Sequence, residues 1–163
     1  TPVGLFVDAS PTEIVACAED VGLKVIQLHG QEPPEDLLAL THLSIVKAFR
    51  INDANSIDAM IEYLNRAAEL GCVPDAVLVD GFVPNVPGGS GMLIADHLLN
   101  LIPSLPHLIL AGGLTHENVA DRIARVHPWM VDVAGGVENM PGRKDPSKVR
   151  AFIEATRCPE KLS

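Results

Sequence analysis

"ILAGGL" at 109–114 and "VDVAGGVE" at 131–138 are two apolar runs, and each ends in a glycine pair. Short apolar runs rich in β-branched residues favour strands over helices. Glycine lets a backbone approach an anion closely and turn its N–H groups toward it. Two such pairs, one strand–helix unit apart, have the form of two walls of a phosphate pocket. A single pair would be ordinary turn chemistry. "VPGGSG" at 86–91 adds a third glycine-rich loop, between a strand ending at Asp80 and the helix that follows.

Working outward from these motifs, the chain alternates regularly. Further apolar runs stand at "VGLFV" (3–7), "KVIQL" (24–28), "IVKAFRI" (45–51) and "AVLVD" (76–80). Continuous apolar runs are the mark of strands buried on both faces of a parallel sheet. Helical signals fill the gaps. "SPTE" (10–13) reads as a capping box with Pro at the first helical position, and Gly22 stops that helix. From Ser56, Ile57, Met60, Ile61, Leu64 and Ala68 recur at helical spacing up to Gly71. Ser90 is expected to cap a helix through Met92–Leu101, Thr115 a helix holding Val119, Ile123 and Val126, and Asp145-Pro146 the last helix. "PPEDLLALTHL" (33–43) is a weaker helix because of its two prolines.

The pattern is an α/β fold of six β–α units in a single domain, residues 1–163. Two architectures fit. A TIM (βα)8 barrel runs to about 250 residues, or roughly 31 per unit. An open doubly wound sheet fits 163 residues without a missing part. Length favours the open sheet, but the motifs favour the barrel, whose chemistry lies at the C-terminal strand ends. Those ends read Asp8; Gln27-Leu28-His29-Gly30; Arg50; Asp80-Gly81; Gly112-Gly113; and Asp132 with Gly135-Gly136. On the pattern alone both stay open, a barrel of about six units being an incomplete one.

Composition excludes several classes. The net charge of −9 argues against nucleic acid, which demands Lys/Arg stripes. It does not argue against a phosphorylated small molecule held by backbone N–H groups. Cys17, Cys72 and Cys158 form no CxxC and are odd in number, so a reducing cytoplasm is expected. No run reaches membrane-span length, and no secretory signal opens the sequence. The first residue is Thr1 rather than Met, as expected of a cut or excised chain.

Taken in order, "GLFV…VIQLHG…KAF…LVDG…PGGSG…LILAGGL…NV…VDVAGGVE…PGRKD" resembles phosphoribosylanthranilate isomerase, a (βα)8 barrel of tryptophan biosynthesis. The resemblance runs from residue 3 to about 154. The long "VPNVPGGSG" loop resembles fungal versions, in which this domain is the C-terminal part of a multifunctional chain. On this resemblance "VGLFV" matches the family's third strand, and the first two β–α units, about 60 residues, are absent. With them go a catalytic cysteine in a motif like "KICG" and a substrate-binding arginine. The last strand reads "DVAGGVE" where the family has "DVSSGVE", so Ala134 and Gly135 replace two serines.

The resemblance implies an Amadori rearrangement without metal or organic cofactor. A general acid protonates the furanose oxygen, the ring opens to a Schiff base, and a base removes the sugar C2 proton. The acid maps to Asp80, whose pKa partial burial at a strand end would raise. The base maps to the missing cysteine. Asp132 maps to a sugar-hydroxyl contact and His29 to the anthranilate side. Gly89, Gly91, Gly112, Gly113, Gly135 and Gly136 map to the phosphate. Taken alone, Asp80-Gly81 reads as a turn, Asp132 as a strand-end polar residue, and His29 as a histidine bonded to backbone.

Other phosphate-binding barrels, such as indole-glycerol-phosphate synthase or ribulose-phosphate epimerase, share the glycine loops. The synthase would want Lys and Glu at strand ends, whereas Lys24 and Lys47 lie at strand starts or within strands. His97, His107, His116 and His127 show no metal-ligand spacing. Arg143 and Lys144 read as solvated loop residues, and Trp129 as packed at the start of the last strand. A third reading is non-catalytic: an incomplete barrel exposes two unpaired strand edges, which favours a homo-oligomer unless the missing N-terminal part of the same polypeptide fills the gap.

Overall fold

Strands and helices alternate along the computed structural model, which describes residues 1–81 and 92–157. Strands β1 (Val3–Phe6), β2 (Val25–Leu28), β3 (Ser44–Ile51), β4 (Ala76–Gly81), β5 (Leu108–Leu110) and β6 (Met130–Val131) form a six-stranded sheet in sequence order. The pairs β1–β2, β2–β3 and β5–β6 are parallel. The expected strands are all present, and β1 and β6 end the order. A separate antiparallel hairpin joins β7 (Glu138–Met140) and β8 (Arg143–Lys144).

The chain divides into two compact units, residues 1–49 with 55–78, and 50–54 with 79–163. In the first unit, α1 (Pro11–Val21) starts where the sequence signals it. Ser10 accepts the Glu13 amide while Glu13 reaches back to the Ser10 amide, and Gly22 closes the helix. The segment after β2 is a 3₁₀ helix, Pro34–Leu40, rather than an α-helix. Its two leading prolines remove amide donors from the first turn, and three residues per turn stack Leu37 and Leu40 on one buried face. Helix α2 (Ala54–Leu70) begins two residues before Ser56. Ile14, Ala18, Ile26, Leu28, Leu37, Leu40, Leu43, Ile45 and Ala67 form the core here.

In the second unit the helix expected from Ser90 is only α3, Asp96–Leu99. Ser90 lies outside the described residues. Tertiary bonds compete with the helical pattern upstream: Arg122 donates to the Ile94 carbonyl and to the Asp96 carboxylate, and Ala95 between them is extended. Helix α4 (Val119–Val126) is entered from Asn118, not capped by Thr115. Thr115 instead opens the preceding turn, its hydroxyl accepting the Glu117 amide. Asp145 caps α5 (Pro146–Thr156) as expected, accepting the amides of Ser147 and Lys148. Arg143 and Lys144, both exposed, form the short strand β8 rather than a loop. Trp129 stands at the start of β6, mostly exposed, with its ring 5.0 Å from that of His107.

Candidate functional site

In the second unit the glycine motifs meet. Gly112 ends β5 in the left-handed region, at φ 82°, where a side chain is strained. Its α-carbon faces β4 so closely that an added Cβ would lie 2.5 Å from Oδ1 of Asp80. The half-buried Asp80 carboxylate therefore rests against the bare backbone of the Gly112-Gly113 turn. The next turn is built by Asn118, whose amide nitrogen donates to the Gly113 carbonyl while its oxygen accepts the Thr115 amide.

The second glycine pair arrives from β6. Asp132 donates its amide to the Leu110 carbonyl, so β6 carries Asp132 past the end of β5. Residues Gly135–Val137 then form a 3₁₀ turn. A Cβ at Gly136 would overlap the Leu114 carbonyl, whereas one at Gly135 would meet open space. The Gly135–Val137 turn thus abuts the chain just after Gly112-Gly113, at Leu114, and Gly136 marks the point of closest approach. The β7–β8 hairpin braces this turn from outside: Lys144 Nζ donates to the Ala134 carbonyl at 2.9 Å and to Glu138 at 2.8 Å. Lys144 is exposed, as expected, and the tie depends on a ten-residue return of the chain.

The first unit carries the other strand ends. His29 is half-buried; its amide donates to the Phe6 carbonyl, and the Gln27 amide nitrogen lies 2.9 Å from Nδ1. Beneath His29 lies a pair that the sequence did not single out: the ammonium of Lys47, 2.8 Å from the Glu32 carboxylate, both essentially buried. Burial would raise the Glu32 pKa, but the Lys47 hydrogen bond, the Asp8 amide and the Lys47 charge outweigh it and hold it below its ordinary value. No cluster of three His, Cys, Asp or Glu side chains among the described residues is arranged to hold a metal ion.

The family model for N-(5'-phosphoribosyl)anthranilate (PRA) isomerase matches residues 1–155. The PRA isomerase of Pseudomonas fluorescens is 44% identical over 96% of this chain and 72% of its own length. The crystal structure of the isomerase from Thermotoga maritima superposes with a TM-score of 0.79 at 30% identity, covering 95% of this chain and 72% of that one. A PRA isomerase in complex with reduced 1-(o-carboxyphenylamino)-1-deoxyribulose 5-phosphate superposes at 0.72, also 30% identical, with 95% of this chain and 70% of that one covered.

The chain belongs to the PRA isomerase family.

The match to the PRA isomerase structures supports the barrel-like fold that the motifs favoured. Nothing in these matches supports a fungal-type C-terminal domain. Gly89 and Gly91 lie outside the described residues, as does Cys158. Of the described cysteines, Cys17 is exposed on α1 and Cys72 is buried just after α2, so neither stands at a strand end. Asp132 is exposed at the end of β6, and Arg50 is exposed near the end of β3.

Proposed function

We propose that this chain carries the acid and phosphate machinery of PRA isomerase, acting on N-(5-phosphoribosyl)anthranilate in tryptophan biosynthesis. The observation that carries the reading is Asp80 seated against the Gly112 turn, with the Gly135-Gly136 turn abutting the same loop. A carboxyl there can give a proton to the furanose oxygen while backbone amides of the glycine turns hold the 5-phosphate. Ring opening leaves a Schiff base between anthranilate nitrogen and sugar C1. Loss of the C2 proton then gives the enolamine, which tautomerises to the aminodeoxyribulose phosphate. Asp132 bonds the sugar hydroxyls and His29 lines the anthranilate side. Gly89 and Gly91 complete the phosphate loops on this reading.

The base is the family's cysteine, and neither Cys17 nor Cys72 is placed for it. We therefore expect little turnover from the chain alone, and recovery when a segment bearing the family's "KICG"-like motif is added. Loss of phosphoribosylanthranilate fluorescence tests this, with the chain alone and with that segment. Asp80→Asn in the active mixture should lower turnover by about 10² to 10⁴ while binding of the reduced carboxyphenylamino-deoxyribulose phosphate persists. Full turnover by the Asn variant would remove Asp80 from the acid role. Activity of the chain alone would remove the requirement for the cysteine. The proposal extends to self-association through the β1 and β6 edges.

A further inference from the structure

We propose that Glu32 and Lys47 are positioning residues that fix His29 for the substrate, an inference that rests on the reading of His29 given above. The Lys47 ammonium donates to the Gly30 carbonyl at 2.9 Å and the Leu28 carbonyl at 3.5 Å, the two carbonyls that flank His29. Its third partner is Glu32 Oε2. The Glu32 carboxylate in turn accepts the Gly30 amide, and at 2.9 Å the Asp8 amide. Every donor of the ammonium is used, and the carboxylate faces three donors. The pair therefore clamps the peptide on both sides of His29 and ties it to the end of β1.

Asp8 shows that the clamp sets a conformation. It is one of two non-glycine residues among those described with positive φ, at 54°, a region that L-residues enter at a cost. Its amide is held there by Glu32, and its carboxylate accepts the Gln31 amide. Gly30 has no room for a side chain, because Asp8 fills that space. The loops after β1 and β2 are thus locked through one buried ion pair, and the His29 ring projects from the locked segment. Lys47 acts through His29 and touches no substrate atom.

Hydrogen exchange of the unaltered chain is the first test. The Asp8 and Gly30 amides should exchange about a hundredfold slower than free peptide or better; free-peptide rates would overturn the clamp. Lys47→Met leaves a buried carboxylate unpaired and is prone not to fold, so Glu32→Gln/Lys47→Met is the working variant. In its proton–nitrogen spectrum the His29 ring signals should move while those of His42, His97, His107, His116 and His127 stay. Its affinity for the reduced carboxyphenylamino-deoxyribulose phosphate should fall about tenfold or more, the scale of one misplaced hydrogen bond, and Glu32→Asp should recover part of it. His29 signals superimposable on the parent's, or a moved ring with unchanged affinity, would overturn the proposal. His29→Ala binding the analogue as the parent does would locate the failure in the substrate reading of His29 instead.

Discussion

At the scale of the residue, the least expected feature is a charged pair taken out of water. Isolated burial of Glu32 or Lys47 would be costly, and each is kept only because the other and the surrounding backbone satisfy it. The pH consequence has a definite sign. The folded-state pKa of Glu32 lies below its ordinary 4.5, so the stability it contributes is complete above 4.5 and drains away as pH falls through the lowered folded value. Chemical unfolding at a series of acid pH values should show a shallower decline for Glu32→Gln/Lys47→Met than for the parent. Glu13, Glu35, Glu138 and Asp145 also have lowered values, but they are common to both proteins, so the difference isolates the clamp. Parallel curves would mean that Glu32 is not ionised in the clamp. The sequence hid this pair for a physical reason. Lys47 sits inside an apolar strand and Glu32 in a Pro-rich turn, fifteen residues apart, and no local pattern links them. The strand-end positions of Asp80, His29 and Asp132 were legible because strand ends follow from apolar runs.

At the scale of the element, the turns around β5 and β6 explain which glycines are needed. The family motif places serine at position 135 and glycine at 136. A Cβ at 135 meets nothing within 4 Å, whereas at 136 it would overlap the Leu114 carbonyl, which is rigid backbone. Gly135→Ser should therefore fold with little change in stability. Gly136→Ala should lose about 1–3 kcal/mol, the usual cost of forcing atoms into filled space, with the Gly112-Gly113 turn displaced. Thermal unfolding of the two variants side by side checks this; equal losses would mean that the turns do not abut. Capping signals were readable where the partner is local, as at Ser10 and Asp145. The Thr115 signal failed because Asn118, three residues on, takes over the turn before α4; ahead of α3 the Ile94 carbonyl is instead claimed by Arg122, 28 residues away.

At the scale of the whole molecule, the strand order ends at β1 and β6, and both carry exposed apolar side chains. Leu5 is 59% exposed, with Val3 and Val7 beside it, and Trp129 and Met130 stand on the other edge. A parallel strand with exposed apolar residues is a template for another chain. Opposing this, the net charge of −9 makes copies repel one another at low salt. Apolar edge pairing is short-ranged and the repulsion is screened within about 10 Å at 0.1 M salt, so association should grow as salt is raised. Light scattering on the eluted chain should report a dimer or larger species. Leu5→Lys places a charge on the edge without entering the core of either unit, and should shift that species toward monomer while leaving the unfolding transition in place. A parent that elutes as a monomer at every salt concentration would show that the edges do not pair between copies. A Leu5→Lys chain that associates as strongly as the parent would exclude β1 as the contact and leave β6, with Trp129, as the edge to alter next.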